Sequence, residues 1–265
     1  MEFELKARYD IGDLVEIIAV LRAPNGCPWD REQTHASIRK NLIEETYEVA
    51  EAIDTNDTGL LLEELGDLLM QVLMHAQMEA EQGHFTFDDV CNEVSQKLVY
   101  RHPHVFGDVT ANDSDTVLRN WEDLKNAEKG RQTAADRLES VPAGLPALMR
   151  SQKVQKRAAD FGFSYADTAE AMIDLRSEVE ELQQALQLQQ GVEHEAGDVL
   201  FAAVNVARQA GIDAEEALTR SCNRFVQRVE FAEEQAQQEG QPLQQASRAQ
   251  LDGFWKSAKQ RQKNL

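Results

Sequence analysis

The run NLIEETYEVAEAI (Asn41 to Ile53), centred on EETYEVA (Glu44 to Ala50), sets Glu44, Glu45, Glu48 and Glu51 beside Leu42, Ile43 and Val49. In a helix, Glu45 and Glu48 stand i and i+3 and share one face. Glu64 and Asp67, in EELGDLL (Glu63 to Leu69), repeat that spacing among leucines. If the two helices form an antiparallel hairpin, four carboxylates converge. Carboxylates beside an apolar stripe cost free energy unless they are protonated or met by positive charge. This stretch therefore predicts a helical hairpin with a charged seam.

Working outward, 265 residues suffice for one large domain or two ordinary ones. Six prolines and abundant Ala, Leu, Glu and Gln favour helix, and no long alternating run of β-branched and aromatic residues marks a sheet. The fold class predicted is all-α. Helical periodicity covers roughly 31–54, 57–82, 86–100 and 113–128, then 145–160, 166–188, 192–210, 213–236 and 246–262. The net charge of −20 repels nucleic-acid backbones, so no general nucleic-acid binding is expected. It also repels nucleotides, so a phosphate substrate needs divalent cations or a local basic cluster. Cys27, Cys91 and Cys222 form no CxxC and are odd in number, which fits a reducing compartment. The start, MEFELKARYDIGDLV, lacks a signal-type apolar run, and no apolar stretch approaches a membrane span. A cytoplasmic location is expected, with no membrane partner.

The pattern is written twice. EETYEVAEAI and EELGDLLMQVL have counterparts in SEVEELQQAL (Ser177 to Leu186) and EAGDVLFAAVN (Glu195 to Asn205). Glu45 and Glu48 match Glu178 and Glu181, and Glu64 and Asp67 match Glu195 and Asp198. Lys97 and Arg101 match Arg224 and Arg228. Trp121, with Lys125 four residues on, matches Trp255 with Lys259. The offsets, 133, 131, 127 and 134 residues, keep one order and nearly one length. Two similar helical domains follow, residues 1–130 and 131–265, joined near GRQTAADRLESVPAGLP (Gly130 to Pro146).

All-oxygen carboxylate sets favour hard cations, Mg2+ or Mn2+. ExxE pairs also occur on plain solvated helix faces, but recurrence of both pairs with the same basic and Trp positions favours a site. A di-iron bundle needs ExxH motifs on bundle helices. Glu32-x-x-His35 and Glu81-x-x-His84 lie off the acid-bearing helices, so these histidines read as helix-end residues. Lys97/Arg101 and Arg224/Arg228, each i and i+4, suit anionic oxygens. Trp121 and Trp255 offer a stacking face for a base, or core packing. No GxxxxGK[ST] or GxGxxG is present. Together these residues point to a nucleoside polyphosphate without choosing which bond breaks. Cys27 to Asp30 read as a tight turn with Trp29 packed inward.

EExxE followed by ExxD resembles the MazG family of nucleoside triphosphate pyrophosphohydrolases. CPWDREQTHASI (Cys27 to Ile38) and RHPHVFGDV (Arg101 to Val109) are more specific and resemble its two-domain members over essentially the whole chain. The resemblance implies an all-α, magnesium-dependent, dimeric enzyme that hydrolyses nucleoside and deoxynucleoside triphosphates to the monophosphate and pyrophosphate, clearing unwanted nucleotides. It implies that the second copy is catalytic, with Glu178, Glu181, Glu195 and Asp198 as metal ligands and Arg224, Arg228 and Trp255 on the nucleotide. Glu45, Glu48, Glu64 and Asp67 are the corresponding metal set of the first copy. Two positions depart from the pattern. Ser177 replaces the first acid of EExxE, and Leu175 stands where a lysine is expected, Arg176 being the nearest base. The competing reading is a nucleotide-sensing or scaffolding helical repeat without catalysis.

Overall fold

The computed structural model describes residues 3–110, 113–131, 133–240 and 242–263. Among these, every regular element is helical and no strand occurs. The chain divides into two compact units, residues 1–125 and 126–265.

The first unit is organised by the hairpin of α3 (His35–Thr55) and α4 (Thr58–Glu81). Thr34 accepts from the Ser37 amide while the Ser37 hydroxyl receives the Thr34 amide, so α3 starts at His35 and not at residue 31. Asn56 ends α3 in the left-handed conformation (φ 54°), and Asp57 then caps α4 through the amides of Gly59 and Leu60. This short connection makes the two helices antiparallel neighbours.

Ahead of the hairpin stands α1 (Ile11–Arg22), outside the sequence-predicted helices, with Asp10 and Asp13 capping each other reciprocally. Its Ile18 joins Ile38, Leu73, Met74 and Met78 in the buried core. The short α2 (Pro28–Glu32) follows a turn at Gly26, where a Cβ would lie 2.3 Å from the carbonyl oxygens of Val20 and Leu21. Trp29 is 61 % exposed, which corrects the inward packing expected for it. The turn is held instead by Arg22, whose guanidinium donates to the carbonyls of Asp30 and Gln33 and pairs with both oxygens of Glu81 at 2.8 Å. His35 opens α3 and Glu81 ends α4, which corrects the expectation that the ExxH motifs lie off the acid-bearing helices; Glu81 is nevertheless committed to Arg22 and so does not pair with His84 as an ExxH ligand set. The unit continues through α5 (Phe87–Arg101), α6 (Pro103–Phe106) and α7 (Ser114–Glu128), the last running across the division between units.

At the far end of the hairpin, Glu79 accepts from His35 Nε2 and His84 Nδ1, each at 2.7 Å. His35 Nδ1 then accepts from His75 Nδ1, also at 2.7 Å, which ties α3, α4 and the following loop together. Burial, then the neighbouring His35, lowers the His75 pKa. Hydrogen bonding, first from His84 and then from His35, holds the Glu79 carboxyl below its usual range. A depressed carboxyl contributes stability that is present above its unfolded pKa and lost as pH falls through its folded value. Thermal melts between pH 6 and pH 3 are therefore expected to fall less steeply for Glu79→Gln than for the native chain, because the variant has no such proton to take up.

The second unit repeats the hairpin as α10 (Thr168–Leu188) and α11 (Val192–Gln209). Asp167 caps α10 through the Glu170 amide at 2.9 Å, and Gln189 (φ 52°) with Gly191 (φ 72°) closes the turn. Helix α9 (Ala147–Ala159) packs on α11, where the buried Gln155 donates to the Phe201 carbonyl at 2.8 Å. Short α8 (Ala134–Glu139) occupies part of the stretch read as the joining segment. Long α12 (Ala214–Gln238) folds back through a 3-10 turn at Leu243–Gln245 onto α13 (Arg248–Lys263), burying Ala232, Ala236 and Phe254. No described helix is long and apolar enough to cross a membrane.

Candidate metal centres on two helical hairpins

The first hairpin brings Glu45, Glu48 and Glu64 together, one oxygen from each lying within 4.8 Å of the others. Glu64 is buried at 9 % exposure, although its carboxylate belongs to the charged seam. Burial raises the Glu64 pKa first, followed by the charges of Glu48, Glu63 and Asp67 and a hydrogen bond with Glu48. Burial likewise leads for Glu45, then a hydrogen bond with Glu48 and the charges of Glu48, Asp67 and Glu64. The charge of Asp67 reaches both carboxyls, although Asp67 is not among the three residues whose oxygens converge.

The second hairpin brings Glu178, Glu181 and Glu195 within the same 4.8 Å. Glu178 is raised by burial, then by Glu181, Asp174, Asp198 and Glu195 in that order. Asp198 also lies 3.4 Å from His194 Nε2, one turn away. Ser177, at the departing EExxE position, donates weakly to Glu181 at 3.4 Å.

Two oxygens on one Mg2+ at about 2.1 Å lie roughly 3–4.2 Å apart. Oxygens within 4.8 Å of one another therefore close around such an ion through side-chain rotation, drawing in by up to about 1–2 Å. The all-oxygen donor set, and carboxyls raised by burial first and by one another's charge second, fit a hard divalent cation.

The basic and aromatic positions also recur. Arg101 and Lys125 lie over Trp121, 5.4 and 4.8 Å from the ring centre. Arg228 and Lys259 lie over Trp255 at 5.5 and 5.8 Å, and Phe225 packs against that ring at 5.3 Å. Both tryptophans are half-buried and serve as platforms that orient cations. Arg224 is exposed one turn before Arg228 on α12, and Lys97 holds the corresponding place on α5, where it pairs with Glu93. The sequence reading did not single out Asp174, whose charge is among those that raise Glu178, or Tyr165, pushed up to about 12 by burial first and then by Asp174. The only local signal was the i, i+4 spacing of Asp174 and Glu178.

A chain that carries two carboxylate-lined helical hairpins, each with a tryptophan-braced basic pair, is a tandem all-α protein with a duplicated acidic cluster. Residues 33–106 and 167–231 each match the MazG nucleotide pyrophosphohydrolase domain. The chain is 41 % identical over 260 residues to an Escherichia coli protein named nucleoside triphosphate pyrophosphohydrolase, covering 96 % of this chain and 99 % of that one. It is 39 % identical over 247 residues to the Thermotoga maritima nucleoside triphosphate pyrophosphohydrolase/pyrophosphatase MazG, covering 93 % and 94 %. It is also 46 % identical to the uncharacterized Bacillus subtilis protein YabN, covering 92 % of this chain but only 50 % of that protein. The chain belongs to the MazG family and is an enzyme.

Proposed function

We propose that the chain hydrolyses nucleoside and deoxynucleoside triphosphates to the monophosphate and pyrophosphate, using Mg2+ or Mn2+, and so clears unwanted nucleotides. The observation that carries this reading is the second carboxylate cluster, Glu178, Glu181 and Glu195 with Asp198 beside them, in a MazG-family chain. Those four residues hold the cation in this reading. When bound, it neutralises triphosphate charge and lowers the pKa of an attacking water. Water then adds as the bridge to pyrophosphate breaks, leaving the monophosphate. Arg224 and Arg228, a turn apart on α12, bind oxygens on the departing pyrophosphate, where negative charge grows. Trp255 braces Arg228 and Lys259 for that task. Incubation with several NTPs and dNTPs plus Mg2+, followed by product identification, tests the reading. Monophosphate with pyrophosphate is expected, and orthophosphate alone or no turnover overturns it.

The first copy keeps its own triad and its own Trp121 platform. That favours a second reading for this copy alone, in which it binds nucleotide for regulation without consuming it.

The assembly proposed is a homodimer. Ile43, Tyr47, Leu62 and Leu65 on one hairpin, and Val179, Leu186, Leu200 and Phe201 on the other, are exposed large apolar residues. A closed two-fold pairing would cover such surface. Light scattering should give twice the 29.8 kDa chain mass, and the single-chain mass at micromolar concentration would contradict the pairing.

A further inference from the structure

We propose that His75, His35 and Glu79 form an acid-released latch that holds the start of α3 against α4 in the first unit. The latch goes beyond the hydrolase reading, does not depend on it, and shares no residue with the proposed cation sites.

Its action follows from the placement of four ring nitrogens. His35 Nε2 stands 2.7 Å from Glu79 Oε1, and His35 Nδ1 stands 2.7 Å from His75 Nδ1. The two imidazole planes differ by 3° and their centres are 5.0 Å apart. A ring nitrogen lies about 1.15 Å from its ring centre, so these distances set the rings edge to edge in one plane. Each Nδ1 then aims its lone pair or its hydrogen straight at the other. One proton between them makes a linear hydrogen bond; none leaves two lone pairs opposed, and two make a clash. Glu79, held below its usual range by His84 and His35, is ionised and only accepts. His35 therefore carries its hydrogen on Nε2, His75 supplies the shared hydrogen from Nδ1, and His75 Nε2 stays bare. That last atom is buried without a hydrogen-bond partner.

In the closed latch, a further proton has only His75 Nε2 to go to. Placed there, it makes a buried N–H without an acceptor on an imidazolium shut off from water. Gln71 Oε1, one turn earlier on α4, is itself buried and unpartnered, so it does not serve as that acceptor. Few other charges bear on the pair. Arg22 of α1 is taken by Glu81, while on α5 Asp89 is taken by the Thr86 cap and Glu93 by Lys97. Arg39, one turn along α3 from His35, is exposed. His84 behaves differently, because it donates to Glu79 Oε2 from a side chain that is 60 % exposed. It gains a proton in water and keeps its bond.

Once the latch opens, His35 and His75 both take up protons near the ordinary histidine value of about 6.5. Acid therefore favours the open form. Burial and then the neighbouring His35, which lower the His75 pKa, act in the same direction. Stability from the closed latch is present above a pH of about 6.5 and is lost as pH falls further. Opening frees one end of a groove lined by Leu42, Val72, Ala76, Phe85 and Val90. The second unit has no such device. At the repeat offsets of 133 and 131 residues, Thr168, Val206 and Ala210 stand where the first unit has His35, His75 and Glu79.

The test uses the full-length chain near pH 7.5 and near pH 5.5. At the higher pH, nitrogen-15 NMR of the imidazoles should find His75 protonated on Nδ1 and His35 on Nε2. Hydrogen exchange read by mass spectrometry, corrected for intrinsic rates, should show residues 34–42 losing protection at the lower pH. The loss should be about 10-fold or more, the factor for one coupled proton. His75→Asn places an amide donor near the position of Nδ1 and does not titrate, so it should hold its protection at both pH values. His75→Phe should lower protection at both. His75 protonated on Nε2 at the higher pH, or native protection unchanged by acid, overturns the latch. So does a loss in His75→Asn as large as in the native chain, because another group would then sense the acid. The two native measurements decide the proposal even where a variant does not fold.

Discussion

Asp198→Asn is expected to lower triphosphate turnover roughly 100-fold or more, whereas Asp67→Asn should retain most of it. The substitution removes one charge at nearly constant shape, and losing one electrostatic stabiliser of a transition state costs about that much. The triads do not by themselves choose between the copies, since both close to within 4.8 Å. The choice rests on what surrounds them. The second copy offers Arg224 and Arg228 where the first offers Lys97 and Arg101, and arginine's planar fork matches phosphate oxygens at two points. Steady-state rates with saturating Mg2+ decide the matter. If Asp67→Asn is inactive and Asp198→Asn is not, the catalytic assignment is reversed and EETYEVA belongs to the active centre.

The hairpins were legible because everything they need is local. An i, i+3 pair of acids fixes a helix face, and a punctuating Asn56-Asp57 or Gln190-Gly191 makes the next helix return alongside. Repetition then separated the acid pairs from ordinary surface charge. Features decided across long sequence distances were not legible. Trp29 was expected inward, but its turn is closed by Arg22 reaching Glu81, 59 residues away, together with a glycine that admits no Cβ. The start of α3 was placed four residues early because its reciprocal cap uses Ser37 where the familiar signal has Glu or Gln. Helix α1 was missed for a related reason, as two aspartates form its cap and its burial depends on Leu73, Met74 and Met78 from α4. Tyr165 looked like a loop residue. Nothing in FGFSYADT says that this backbone is pinned by Gln209, which donates to the Tyr165 carbonyl from the other helix of the hairpin.

Glu178→Gln should change stability and activity in opposite directions. In the metal-free chain, burial and then Glu181, Asp174, Asp198 and Glu195 raise the Glu178 pKa above its unfolded value. The sign follows from linkage. Stability tied to a raised carboxyl is fully present below the unfolded pKa and is lost as pH rises through the folded one. At neutral pH the ionised cluster therefore works against the fold, and an amide of nearly the same shape removes part of that repulsion. With a chelator present near pH 7, the variant is expected to melt above the native chain. Near pH 4 the two melts should converge, because protonation has already relieved the native cluster. Adding Mg2+ should raise the native midpoint and barely move that of the variant, which lacks one of the charges that hold the ion. Turnover should fall roughly 100-fold, on the same scale as for Asp198. Differential scanning calorimetry across pH 4–8, with and without Mg2+, reads all of these together. A variant that melts below the native chain in chelator would mean that Glu178 stabilises the hairpin through its charge, and the cluster would then not be a self-repelling site awaiting a cation.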